Sequence, residues 1–125
     1  DRIQVPGTED AQSWLAWADC FVLPSRREGL SNALLEAMAM GLPCIANDIP
    51  PNREVLADGE AGILVPGGNV EALREQMARL TVNPSFLAER LSAASIARVA
   101  KNYTLTSVAA CYDALYTAKS REVKA

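Results

Sequence analysis

Two glutamates, Glu28 and Glu36, are separated by seven residues in the run REGLSNALLEAMAMG, residues 27–41. A carboxylate offers two acceptor oxygens, a good match to a pair of neighbouring hydroxyls on a sugar or a ribose. Glu28 falls in a Gly- and Ser-containing loop, and Glu36 interrupts an apolar helical run. Between them, Gly29 lets backbone approach a ligand closely. The free amides of Leu30, Ser31, Asn32 and Ala33 would open a helix, where N–H groups and the positive end of the dipole suit a phosphate or sugar oxygen. The plainer reading is that Glu28 complements the helix dipole while Glu36 faces solvent, and residue pattern alone leaves the two equally open. Arg26 and Arg27 are candidate phosphate contacts, although adjacent loop arginines are more often simply solvated.

The elements that must hold these groups are legible as alternating strands and helices. Residues 2–5 read as a short strand ended by Pro6-Gly7. Thr8 then caps a helix from about residue 9 to 18. Residues 20–23 are a continuous apolar run of the kind buried in parallel sheets. Pro24-Ser25 ends that run, the loop 26–30 follows, and a helix extends from about residue 31 to 40 with Gly41 as its terminator. Residues 43–46 form the next strand, 52–56 a helical turn, Asp58-Gly59 a turn and 62–65 a further strand. Helices capped by Asn69, Asn83-Pro84 and Thr104 complete the chain, and the polar tail 119–125 is expected to fray. Such alternation predicts an α/β fold with a parallel, Rossmann-like sheet and flanking helices. In open parallel sheets, ligands bind beyond the carboxyl ends of the strands, where the loop after residues 20–23 carries Glu28.

Composition narrows the chemistry. The 125 residues are half hydrophobic and 22% charged, enough for one core-forming domain. A net charge of −3 with scattered Lys and Arg gives no basic stripe for nucleic acid. There is no histidine, so imidazole bases and triads are excluded. Cys20, Cys44 and Cys111 lack zinc-ligand spacing, and two of them read as small buried hydrophobes in a reducing compartment. No apolar run approaches the roughly 20 residues that span a bilayer. Trp14 and Trp17 are expected in core or interface packing rather than in sugar stacking. The lack of any Gly-x-Gly-x-x-Gly after a strand removes a dehydrogenase reading.

The segment FVLPSRREGLSNALLEAMAMGLPCIAND, residues 21–48, closely resembles the donor-binding segment of retaining GT-B glycosyltransferases of the group 1, GT4-like class. Its marker is Glu, seven residues, Glu (an EX7E motif), flanked here by a strand ending Pro-Ser and a helix ending Ala-Met-Ala-Met-Gly. NREVLADG, residues 52–59, and GILVP, residues 62–66, look like the family's next landmarks. The resemblance covers most of residues 1–118, implying a partial C-terminal domain of a GT-B enzyme. It implies that Glu28, as the catalytic-site acid, contacts the donor sugar, and that amides of Gly29, Leu30 and Ser31 hold the sugar and diphosphate. Asn32 and Ala33 would lie near the phosphates, and Glu36 would accept the ribose hydroxyls. The reaction implied is transfer from a nucleotide-diphosphate sugar to an acceptor hydroxyl in glycan or glycolipid synthesis, with no metal or other cofactor.

The same resemblance sets further expectations. The acceptor domain and the first strands of the donor domain would lie outside the chain, leaving it inactive alone. A cytoplasmic setting, with the full-length enzyme at the inner membrane surface, would follow. With its sheet neighbours gone, the strand at residues 2–5 would repack on residues 20–23, or the open edge would recruit a second copy. Two alternatives share the fold: nucleotide-sugar epimerases, which carry a site histidine that this chain lacks, and a non-catalytic nucleotide-sugar binding or interaction module.

Overall fold

The apolar run Cys44–Ala46, extended by Asn47, becomes the central strand of a three-stranded parallel sheet in the computed structural model, which describes residues 3–5, 7, 10–82 and 84–122. Its neighbours are Phe21–Leu23 on one side and Ile63–Val65 on the other, giving strands β1, β2 and β3 in spatial as well as chain order. Val22 pairs with Ile45, and Ile45 with Ile63, which places side chains of like orientation in rows across the sheet. All four residues of β2 are buried, as a strand covered on both faces requires.

Alternation along the strands sorts the core into two layers. Cys44 and Ala46, with Phe21, Leu23 and Leu64, pack on Leu34, Ala37 and Met38 of helix α2 (Asn32–Ala39) and on Val55 of α3 (Pro50–Val55). Leu15 of α1 (Ala11–Trp17) joins the same layer. Ile45 and Val65, with Val22 and Ile63, point the other way, toward Leu73 and Leu80 of α4 (Val70–Val82). Helix α5 (Pro84–Asn102) serves both layers, with Leu87 and Leu91 in one and Ala94 and Val99 in the other. Helix α6 (Leu105–Glu122) follows it.

Local chemistry sets the helix ends. Asp10, not Thr8, caps α1, accepting from the amide of Gln12 at 3.3 Å; Thr8 and Glu9 lie outside the described residues. Asn69 accepts from Ala72 N at 2.9 Å and Thr104 from Ser107 N at 3.1 Å. Helix α2 closes with paired bonds from Gly41 N to Met38 O and from Leu42 N to Ala37 O, both 3.0 Å, while Gly41 takes φ +75°.

One expectation fails here and another is narrowed. The strand at residues 2–5 does not form: Arg2 is outside the described residues, and Ile3 to Val5 are exposed, non-strand backbone that adds nothing to β1. Trp17 is 89% exposed, which takes it out of the core, since the two turns of α1 bury only Leu15.

Candidate functional site

The carboxyl ends of the three strands deliver three loops to one edge of the sheet, and Asn47 ties two of them together. Its Nδ2 donates to Pro24 O at 2.8 Å and to Ser25 O at 3.2 Å, fixing the exit of β1 against the end of β2. Asn52 of α3 donates to Asn47 O at 2.8 Å, so the clasp is itself held from below. Asp48 N donates to Val65 O at 2.7 Å, joining the β2 exit to β3. Both asparagines are buried. Such buried amides carry their own partners, as the energetics of desolvation demand.

From this clasp, residues 24–30 run into α2. Ser31 is its N-cap, buried and extended, and its Oγ accepts from Leu34 N at 3.4 Å. One of the orphan amides of the first turn is thereby taken. Those of Leu30, Ser31, Asn32 and Ala33 donate to no acceptor among the described residues. They are left for a ligand or water at the positive end of the helix. Asn32, Ala33 and Glu36 are exposed, while Leu34, Ala37 and Met38 are buried. Glu36 follows Asn32 by four positions and Ala33 by three, so it stands one turn below the free amides on the same solvent-facing side. Its carboxylate has no ion pair or hydrogen bond among the described residues. The apolar neighbours in the sequence therefore do not enclose it; they belong to the opposite face of the helix.

Glu28 is half-buried in the loop just before this helix, and it too lacks a polar partner among the described residues. Arg26 and Arg27 are exposed, and neither makes an ion pair with a described residue. Three described charges around α3 are engaged with one another: Asp48 before it, Arg53 within it and Asp58 after it. Arg53 Nη2 donates to Asp48 Oδ2 at 2.6 Å, and Nε lies 2.5 Å from Oδ1, off the hydrogen-bonding direction, so that Oδ1 is enclosed without a hydrogen bond. Asp58 stands 3.6 Å from the same guanidinium. Asp48 thus anchors α3 rather than facing a ligand alone. Glu54 keeps an uncommitted carboxylate, while its backbone oxygen and that of Val55 accept from Arg98 of α5 at 2.6 and 3.4 Å.

No three His, Cys, Asp or Glu side chains among the described residues stand together as a metal site. Cys44 and Cys20 are core thiols: burial pushes them up to about 12 and about 11 respectively. Cys111 is exposed on α6. No helix of the described residues is long and apolar enough to cross a membrane.

The family model for group 1 glycosyl transferases matches residues 1–83. The chain belongs to the group 1 glycosyltransferases. It is 32% identical over 124 residues to the lipopolysaccharide core biosynthesis mannosyltransferase LpsB of Rhizobium meliloti, covering 97% of this chain and 35% of that protein. It is 31% identical over 104 residues to the GDP-mannose:cellobiosyl-diphosphopolyprenol alpha-mannosyltransferase of Xanthomonas oryzae, covering 81% of this chain and 27% of that one. Among solved structures, sucrose-phosphate synthase from Thermosynechococcus elongatus superposes with a TM-score of 0.77 at 27% identity, over 87% of this chain and 27% of the synthase chain. The group 1 glycosyltransferase chain thus has the α/β, GT-B kind of fold and spans between a quarter and about a third of these relatives' lengths.

The two glutamates, and the helix that opens after Glu28 and carries Glu36, were visible in the residue types and spacing. The Asn47 clasp was not, because a side chain that reaches 22 and 23 positions along the chain leaves no local signal. Asn47 at a strand end could be read equally as pocket lining or turn cap.

Proposed function

We propose that this chain is the donor-binding portion of a retaining glycosyltransferase that moves a sugar from a nucleotide-diphosphate sugar to an acceptor hydroxyl. The observation that carries the reading is the exposed, unpartnered Glu36 one turn below the free amides of Asn32 and Ala33, at the ligand-binding edge of a parallel sheet. Glu36 accepts the two ribose hydroxyls. The amides of residues 29–33 receive the diphosphate, with Arg26 and Arg27 within the same loop as further positive charge. Glu28, ahead of the helix, accepts hydroxyls of the transferred sugar and is the residue nearest the reacting centre.

In the reaction, the bond from the anomeric carbon to the leaving phosphate oxygen breaks. The acceptor oxygen bonds that carbon on the same face, and the acceptor proton passes to the departing phosphate. Amides fixed at a helix terminus favour the charge that grows on that phosphate, and they need no reorganisation to do so. The acceptor is held by a further domain of the whole enzyme, so the chain alone binds nucleotide weakly and does not turn over. The named mannosyltransferase relatives make GDP-mannose the first donor to try, with glycan or glycolipid synthesis as the setting.

Calorimetric titration with GDP and UDP tests the reading. Replacing Glu36 by Gln turns two charge-assisted hydroxyl bonds into neutral ones, a loss of roughly 1 kcal/mol each. Binding should weaken about 10- to 100-fold. Equal affinity in Glu36→Gln and the wild type would remove the ribose role. Turnover of GDP-mannose by the isolated chain would refute the division of labour.

A further inference from the structure

The donor loops leave the carboxyl ends of the strands; at the opposite, amino end of β3 lies a separate cleft of about 290 Å³. Gly59 and Gly62, which lead into β3, wall it without side chains. Leu87 and Leu91 of α5 form its apolar side, and Arg79 of α4 and Arg90 of α5 flank it. Helix α4 starts beyond the carboxyl end of β3 and runs back along the sheet, which brings Arg79, in its last turn, to the amino end. Neither Glu28 nor Glu36 lines this cleft.

Its charges are unneutralised in a chain where acidic residues outnumber basic ones, 15 to 12. Arg53 and Arg74 both find carboxylates. Arg79 does not: Glu75 precedes it by four positions, a spacing that suits a helix ion pair, yet the guanidinium donates to Gln76 Oε1 at 2.8 Å. Arg90 is exposed and has no polar partner among the described residues. The negative end of the α4 dipole accounts for Arg79, but offers nothing to Arg90 in the second turn of α5. The one carboxylate on the lining, Asp58, stands on a rim shared with the neighbouring cleft and faces Arg53 there at 3.6 Å. Gln76 has given its oxygen to Arg79, so its NH2 is a further donor.

Two guanidiniums and an amide suit an anion. A carboxylate has two oxygens in one plane, a match to a single guanidinium fork. A phosphate monoester has three acceptor oxygens and about −1.5 to −2 charges at pH 7, so it can bridge forks carried by two helices. The volume stands at the lower end of the ~300–1,000 Å³ of small-molecule sites, which suits a phosphate with a short body against Leu87 and Leu91.

We propose that the cleft between Arg79 and Arg90 is a second anion site, which takes the phosphate monoester of a small molecule. Both guanidiniums and the Gln76 amide donate to the phosphate, tying the last turn of α4 to α5. The site is distinct from the one that receives the donor diphosphate and does not depend on it.

Amide shifts of the ¹⁵N-labelled whole chain test it, with glycerol 3-phosphate, dimethyl phosphate and GDP as separate probes. Glycerol 3-phosphate should give saturable shifts at Gly59, Gly62, Gln76, Arg79 and Arg90. Arg79→Gln and Arg90→Gln should each weaken that binding about 10-fold or more. Arg74→Gln removes the same charge from an exposed arginine already paired with Glu71, and should leave the affinity unchanged. Dimethyl phosphate, a singly charged diester, should bind at least about 10-fold more weakly than the monoester. GDP shifts at residues 29–33 should persist in Arg79→Gln and Arg90→Gln, which shows that both variants fold and separates failure of the cleft from failure of the nucleotide site. The absence of saturable shifts at the cleft, or a glycerol 3-phosphate response confined to residues 29–33, overturns the proposal. So does an equal loss in Arg74→Gln, or a diester that binds as tightly as the monoester.

Discussion

Asn47→Ala should loosen the donor loop without any ligand present. The side chain is 5% exposed and donates two hydrogen bonds, to Pro24 O at 2.8 Å and Ser25 O at 3.2 Å. Each such bond contributes about 0.5–1.5 kcal/mol net. Their loss therefore sums to roughly 1–3 kcal/mol if the two carbonyls are rehydrated, which the partial exposure of this loop allows. At roughly 4 °C per kcal/mol for a domain of this size, the melting temperature falls by about 4–12 °C. The bond from Asn52 to Asn47 O is to backbone and survives the substitution. Asn47→Asp separates volume from donation: it keeps the size, removes both donors and sets an acceptor against two carbonyl oxygens, so it should cost more than alanine. Thermal unfolding followed by circular dichroism gives the stability, and amide hydrogen exchange locates the loosening in residues 24–30. Unchanged melting in Asn47→Ala, or destabilisation with protection of that loop intact, would refute the clasp.

Two further perturbations probe the scaffold. Gly41→Ala should destabilise by more than the ~1–2 kcal/mol of a left-handed non-glycine residue, since φ is +75° and the new Cβ would lie 2.8 Å from Ser92 Oγ; chemical denaturation checks it. The buried Cys44 thiol, pushed up to about 12 from an ordinary 9.0 chiefly by burial, releases its proton later in the folded than in the unfolded chain. Its contribution is complete below pH 9 and is lost as pH rises toward 12, so wild-type stability should fall more steeply over that window than that of Cys44→Ala, measured by urea unfolding at each pH.

Much of the fold is readable where one physical cause acts locally. The apolar run of β2, the caps at Ser31, Asn69 and Thr104 and the left-handed terminator Gly41 each depend on a few adjacent residues. What the pattern hides is set by distant partners. Glu36 sits among apolar neighbours in sequence, yet only the packing of Leu34, Ala37 and Met38 decides that it faces solvent. Arg98 reaches back 43 and 44 positions to the carbonyls that end α3. Ala57 takes φ +50° ahead of the anticipated Asp58-Gly59 turn, a conformation that alanine would not choose alone. Ile3 and Val5 have strand-forming side chains yet do not pair with the open edge of β1, so residue propensity alone makes no strand.

The central claim is that α2 opens onto a nucleotide-sugar site. Titrating the ¹⁵N-labelled chain with GDP and recording amide shifts addresses it most directly, since weak binding suffices. The account predicts that the largest shifts fall on Gly29 to Ala33, with Glu36 following and the Gly67-Gly68 turn nearly still. Saturable shifts centred on the β3–α4 turn, with residues 29–33 unmoved, would contradict it.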